Sequence, residues 1–208
     1  MAQGYGLVGA MDEVGRGSVF GPCCVGLVVI DAGIGAPPGA LRDSKLLNER
    51  AREALVAPIH AWVLDHAVGE ASAGEVDDFG LTAALRLAGR RALAQLRRLP
   101  DVVVLDGSYD WLGDAGATFI GPVYPDVDVP VVRTRVKADV SCASVAAASV
   151  LAKVHRDRLV RLSAREFPGY GLEDNKGYAT AAHMAALRQL GPSPQHRQTW
   201  HLPSREGA

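Results

Sequence analysis

The 208-residue chain has no run of 18 or more uncharged apolar residues, so a membrane-spanning helix is not expected. Its first residues lack a basic segment ahead of an apolar one and meet Asp12 and Glu13 where a signal peptide would still be apolar. A secretory leader is therefore not expected either. Cysteine is scarce: Cys23, Cys24 and Cys142 make an odd count with no CxxC spacing. That argues against a disulfide framework and a structural zinc site, and makes a reducing, cytoplasmic setting the expectation. Excess charge is missing too, with 22 Lys+Arg against 23 Asp+Glu and a net charge of -1. A polybasic tail is excluded, but a nucleic-acid partner is not, because distribution matters more than the sum. There is no internal repeat and no low-complexity tract beyond the Gly/Pro loop GIGAPPG at 33–39. What remains, 48% apolar and 22% charged residues, is the composition of a globular chain with one core or at most two small ones.

The pattern along the chain predicts strands at LVGAM (7–11), CCVGLVVI (23–30), AWVLDHAV (61–68), VVVLD (102–106) and PVVRTRV (130–136). DSKLLNERAREALVAPI reads as a helical region closed by Pro58. A helix over 75–98 follows from Leu81, Leu85, Ala88, Ala92 and Leu96 at three- and four-residue steps. An Ala-rich helix from Ser144 to about Arg165 is broken by Pro168, and a last helix over 180–190 is stopped by Gly191 and Pro192. The order is that of an α/β layer fold with a mixed sheet.

Carboxylates cluster where these apolar runs end. In DEVGRG (12–17) two adjacent acids follow a strand, and two glycines flank an arginine. A charged pair near a core is costly unless cations or a metal match it. A glycine-flanked turn also lets backbone N–H groups approach a ligand oxygen closely. The segment is neither a dinucleotide fingerprint nor a P-loop. VVVLDG repeats the logic at Asp106, and Asp139 follows the strand at 130–136. Each aspartate alone would read as a helix cap or a solvated turn. Together they suit a hard divalent ion such as Mg²⁺ or Mn²⁺, which takes oxygen ligands and keeps positions for water and phosphate.

Charge placement points the same way. Residues 101–128 hold six aspartates and no Lys or Arg, whereas residues 133–197 hold 11 basic against 5 acidic residues. An acidic metal centre beside a basic flank is what phosphodiester chemistry needs, and the less favoured alternative for the basic run is a solvated helix face. In the last third, Tyr170 between glycines could be an exposed stacking or hydrogen-bonding group, although an aromatic there is more often local packing, and His196 and Arg197 could face phosphate. His183 reads equally well as a core histidine or a site residue.

The series DEVGRGSVFGPCCVGLVVI, RDSKLLNERAREAL, VVVLDG, VKADVSCASVAAASVLAKVHRDRL, FPGYGLEDNKGYATAAH and GPSPQHRQTW resembles bacterial ribonuclease HII, the type 2 ribonuclease H, from about Leu7 to Trp200. The resemblance implies an α/β, RNase H-like fold, a central mixed sheet flanked by helices, with a helical C-terminal extension. The catalytic core would span 1–165 and the substrate-gripping extension 166–208, as a single compact unit. It places the family's metal-binding and catalytic acids on Asp12, Glu13, Asp106 and Asp139, with Mn²⁺ or Mg²⁺ as cofactor. Gly15, Arg16 and Gly17 would contact the ribonucleotide 2′-OH and a neighbouring phosphate, Tyr170 would pack against the sugar, and Lys45 would lie near the substrate backbone. Three departures from the family pattern stand out: Ala138 where glycine is common, DDFGLTAA where an Asn-containing stretch is usual, and Thr199-Trp200 in place of Ser-Phe. None removes a metal ligand.

The implied activity is endonucleolytic hydrolysis of the RNA strand of RNA–DNA hybrids. Incision 5′ of single ribonucleotides in duplex DNA, leaving 3′-OH and 5′-phosphate ends, would serve ribonucleotide excision repair and DNA replication. The 2′-OH is the handle that tells RNA from DNA at one nucleotide, so sequence preference should be weak. The partners are then the hybrid or ribonucleotide-bearing duplex and no membrane. A monomer is expected, and the residues assign no interaction with a replication clamp. Two rivals are a hybrid-binding module with a vestigial metal site, disfavoured by four retained acids, and a same-fold nuclease resolving branched DNA.

Overall fold

The computed structural model describes residues 4–39, 41, 47–113 and 121–204. Its centre is a five-stranded sheet in the order β3-β2-β1-β4-β5, formed by β1 (Leu7–Val14), β2 (Cys23–Asp31), β3 (Asp65–Ala71), β4 (Val102–Asp106) and β5 (Val131–Arg135). β1, β2 and β3 pair antiparallel, whereas β4 runs parallel to β1 and β5 parallel to β4. The mixed sheet expected from the sequence is present.

Helices cover both faces: α1 (Glu49–Trp62), α2 (Ala73–Phe79), α3 (Leu81–Leu93), α4 (Ala138–Ser141) and α5 (Ala143–Ser163), followed by α6 (Leu172–Asn175) and α7 (Ala181–Leu190). Side chains alternate across the sheet. Met11, Val25, Leu27, Val103 and Leu105 meet α3, while Ala10 and Val28 meet α1 and α5. Two glycines set how close the helices come. A Cβ on Gly26 would fall 2.1 Å from the Ala148 carbonyl oxygen of α5, and one on Gly69 would fall 1.9 Å from the Ala88 carbonyl oxygen of α3. Neither strand position can carry a side chain without pushing a helix off the sheet. A third cluster of Phe20, Val160, Ala164, Tyr170, Leu172 and Leu187 ties the C-terminal helices to the loop after β1. Among the described residues no helix is long and apolar enough to cross a membrane.

Four boundaries differ from the sequence expectation, each for a local reason. β1 continues through Asp12 and Glu13 to Val14, because its antiparallel pairing with β2 runs on to Val14↔Cys24. Pro58 lies inside α1 and does not close it; Leu55 and Ile59 are buried on either side, and Val63 N–H donates to Ile59 O. Buried contacts there outweigh the one backbone hydrogen bond that proline removes. The third strand accordingly starts at Asp65 rather than residue 61. The helix expected over 75–98 is two helices, separated at Gly80 with φ +78° and preceded by a Ser72/Glu75 capping box.

Candidate active site

Asp12 sits in β1 opposite Gly26, on the face that α5 approaches. Its side chain is buried, and its Oδ1 accepts the Glu13 N–H at 2.9 Å. Glu13 is partly buried and pairs with Arg16, whose Nη1 lies 3.4 Å from Oε1. Burial pushes the Glu13 carboxyl above its usual pKa, Arg16 opposes that, and the charge of Asp106 adds to the rise. Asp106 ends β4, one position beyond the Met11↔Leu105 pair, and so lies beside Asp12 across two parallel strands. Its Oδ1 accepts the Ala138 N–H at 2.7 Å, which anchors the start of α4. The buried Asp139 is the next residue, in the first turn of that helix. Asp12, Glu13 and Asp106 thus stand at adjoining strand ends, and Asp139 follows in a helical turn that Asp106 anchors.

Ala138 is tolerated where glycine is common because the left-handed conformation falls on its neighbour. Lys137 has φ +57°, while Ala138 is helical and fully buried.

The turn after β1 is built from below by two arginines. Arg197 is fully buried, and burial lowers its pKa to about 10. Its Nη2 donates to Gly15 O at 2.6 Å and its Nη1 to Arg16 O at 3.0 Å. Arg156, also fully buried, donates from Nε to Pro22 O at 2.8 Å, from Nη1 to Lys176 O at 2.9 Å, and from Nη2 to Ser18 Oγ at 2.6 Å and Phe20 O at 2.8 Å. In a trans peptide the C=O of one residue and the N–H of the next point opposite ways. With the carbonyls of Gly15 and Arg16 turned inward to Arg197, the N–H groups of Arg16 and Gly17 point outward. Gly15 has φ +83°, and a Cβ there would lie 2.2 Å from Arg156 Nε; at Gly17 nothing lies within 4 Å.

A cleft of about 250 Å³ is lined by Asp12, Glu13, the 15–17 turn, Ser149, Lys153 and Tyr178; Asp106 and Asp139 are not among its lining residues. Lys153 Nζ donates to Asp157 Oδ2 at 2.6 Å, and burial lowers its pKa. The Arg156 guanidinium lies 5.4 Å from the Tyr178 ring centroid. Behind Tyr178, its carbonyl meets His183 Nδ1 at 2.9 Å, His183 Nε2 meets His196 Nε2 at 3.0 Å, and His196 Nδ1 accepts Ser193 N–H at 3.0 Å. One tautomer pair satisfies this relay: His196 donates from Nε2, and His183 donates from Nδ1. Both rings are neutral in it, and burial beside His183 lowers the His196 pKa to about 4.

Several expectations for the C-terminal third are corrected. Tyr170 is buried rather than exposed, its OH donating to Gly191 O at 2.7 Å, and it does not line the acidic cleft. The turn between Gly169 and Gly171 folds the ring onto the third cluster. His196 and Arg197 face no solvent phosphate; both are fully buried, as is His183. Lys45 lies outside the described residues. Sequence reasoning missed Tyr178, Lys153 and Ser149 as cleft residues and Arg156 as a brace. The available signal was the KGY segment, a second tyrosine that follows a glycine.

The four acids offer only hard oxygen donors, suited to Mg²⁺ or Mn²⁺. The upward pKa of Glu13 comes chiefly from burial, with the charge of Asp106 a smaller addition; a bound divalent cation would offset both. Among the described residues no group of three His, Cys, Asp or Glu side chains is placed to hold a metal ion, so the metal reading rests on the donor chemistry of these four acids.

A ribonuclease HII family model matches residues 9–202. Ribonuclease HII of Streptomyces coelicolor is 43% identical over 197 residues, covering 95% of this chain and 78% of the relative. That of a Thermus thermophilus strain is 43% identical over 195 residues, covering 92% and 85%. Among solved structures, ribonuclease H2 from Pyrococcus horikoshii superposes with a TM-score of 0.68 at 26% identity over 94% of each chain. The PCNA:RNase HII complex from Archaeoglobus fulgidus matches with a TM-score of 0.70 at 22% identity, over 96% of this chain and 97% of that one, which bears on fold alone.

Proposed function

Because the chain belongs to the ribonuclease HII family, we propose that it is a metal-dependent endonuclease. It cuts the RNA strand of RNA–DNA hybrids and incises 5′ of single ribonucleotides in duplex DNA, leaving 3′-OH and 5′-phosphate ends. The observation that carries this reading is the cleft itself: two carboxylates, a turn presenting backbone N–H groups, and a tyrosine line one space.

Asp12, Glu13, Asp106 and Asp139 would hold Mg²⁺ or Mn²⁺, which supplies an activated water and charge stabilisation at the leaving 3′-oxygen. The Arg16 and Gly17 N–H groups donate to the ribose 2′-OH and an adjacent phosphate oxygen, the close contact that RNA-over-DNA selectivity requires. The Tyr178 ring, rather than that of Tyr170, packs against the sugar, held by the Arg156 guanidinium and the His183 contact. Lys153, at the cleft wall, is paired with Asp157. No group in the cleft reads a base edge, so sequence preference is weak. Three free cysteines, two of them buried, suit a reducing cytoplasm.

The test is incision of four labelled substrates with Mg²⁺ or Mn²⁺: a duplex carrying one ribonucleotide, an RNA–DNA hybrid, an all-DNA duplex and a branched DNA junction. Cutting of the first two alone supports the proposal. Cutting of the junction favours the branched-DNA rival, and binding without cutting under any divalent ion favours a binding module.

A further inference from the structure

The edge strand β5 carries a feature that the proposed cleft does not use. Arg133 and Arg135 are both exposed, and the parallel register pairs Val104 with Arg133 and Asp106 with Arg135. Register partners share a sheet face. Both arginines therefore project on the face of Val104 and Asp106, the side on which α5 packs and Asp12 is buried. Asp106 Oδ1 accepts the Ala138 N–H, and no ion pair joins Asp106 to Arg135 among the described residues. Among the described residues neither arginine makes an ion pair; the hydrogen bond recorded for Arg133 is to the Val132 carbonyl next to it, 3.2 Å from Nη1. This contrasts with α5, where Arg158 and Arg161 are paired with Glu53 and Glu49. Two exposed cations have thus been placed beside a carboxylate centre without quenching it.

Spacing says what they fit. Residues two apart on a strand repeat at about 6.6 Å, close to two steps of the roughly 3.4 Å charge spacing along one strand of a duplex. With about 4.8 Å between strands, β5 lies about 10 Å from β1. Arg135 is then within a few nucleotides of any phosphate held over Asp12 and Asp106. The Gly15–Gly17 turn lies on the β1 side of the acids and Arg135 on the β5 side, so the acids sit between two phosphate-holding elements.

We propose that Arg133 and Arg135 form a phosphate track on the edge strand, holding the nucleic-acid backbone where it leaves the acidic cleft across β4. The inference rests on the nuclease reading above and adds the path of the substrate. Lys137, exposed at the end of the same segment, extends the track toward α4. The contacts are to phosphate alone, so they strengthen binding of every sequence equally.

The experiment measures equilibrium binding of the full chain to a fluorescent duplex with one ribonucleotide, without divalent ions, across 50–400 mM KCl. Incision kinetics in Mg²⁺ are measured in parallel. Each lost phosphate contact lowers the log K versus log salt slope by about 0.9. Arg133→Ser/Arg135→Ser should therefore lower the slope by about 1.8 and weaken binding roughly 30-fold at 0.15 M salt. KM should rise with kcat unchanged, and Arg133→Lys/Arg135→Lys should keep the wild-type slope. Arg97→Ser/Arg98→Ser, a charge-matched change just before β4 at the far end of the sheet from the acids, should also keep it. An unchanged slope in the β5 serine variant, or an equal drop in the control, overturns the track. If the wild type cuts ribonucleotide duplexes and the slope does not move, the track fails alone. If the wild type cuts none, the nuclease reading fails and takes the track with it.

Discussion

Two glycines of one turn should respond to the same methyl group in opposite ways. At Gly15 the backbone has φ +83°, and a Cβ would meet Arg156 Nε at 2.2 Å and the Pro22 carbonyl at 2.8 Å. Left-handed backbone costs an alanine about 1–2 kcal/mol. The larger cost comes from the guanidinium, which cannot move without loosening its contacts to Pro22, Lys176, Ser18 and Phe20. Losing one or two of those buried, charge-assisted bonds costs about 2–4 kcal/mol more. Gly15→Ala should therefore lose about 3–6 kcal/mol, a fall in Tm of roughly 6–24 °C for a chain of this length. At Gly17 nothing lies within 4 Å and φ is ordinary, yet the residue lines the cleft. Gly17→Ala should melt within about 2 °C of wild type while its methyl obstructs the ribose, lowering kcat/KM roughly 10-fold or more. Thermal melts and single-turnover incision on the same preparations read both quantities. Equal destabilisation by the two variants, or full activity in Gly17→Ala, would refute the reasoning that the turn is braced from inside and open outside.

Three further outcomes follow from the same geometry. Tyr170→Phe removes the donor to the Gly191 carbonyl and should cost about 1–2 kcal/mol of stability with kcat/KM retained, whereas Tyr178→Ala should cut ribonucleotide selectivity at little stability cost; incision ratios and denaturant melts separate them. His196 has a folded pKa lowered from 6.5 to about 4, so between those values the unfolded chain binds more protons. Its contribution is full above about pH 6.5 and is lost as pH falls through 4, a total of about 3 kcal/mol; His196→Gln should flatten the stability profile over that window in urea melts. Asp12→Asn should abolish incision while leaving the far-UV circular dichroism and duplex binding near wild type, and retained activity would count against the four-carboxylate assignment.

The strands and the acids were legible because both leave local traces. VVVLD is an apolar run ending in a carboxylate, and it folds as β4 with the bounds its pattern suggests. Asp12, Glu13, Asp106 and Asp139 were visible as acids where apolar runs stop, although β1 continues through its pair. Burial of charge left no such trace. The basic excess over 133–197 reads as a phosphate-facing flank, yet Arg156 and Arg197 are fully buried and hold backbone carbonyls. A count of charges cannot distinguish a cation that faces water from one that satisfies a glycine-rich turn. Tyr170 and Tyr178 each follow a glycine, and only the tertiary path of the chain decides which ring reaches the cleft. Pro58 and Gly80 mislead for a related reason: packing of Leu55 and Ile59 carries α1 past the proline, and a left-handed glycine divides a continuous helical periodicity.

The central claim is that the strand-end carboxylates and the 15–17 turn together make a nuclease selective for ribonucleotides. It is tested most directly by mapping the ends produced from a duplex with one ribonucleotide, with Mg²⁺ or Mn²⁺ and with neither. A single cut on the 5′ side of the ribonucleotide, with 3′-OH and 5′-phosphate ends, is expected only when a divalent ion is present. Incision without a divalent ion, cuts scattered through the DNA, or no cut at all would contradict it.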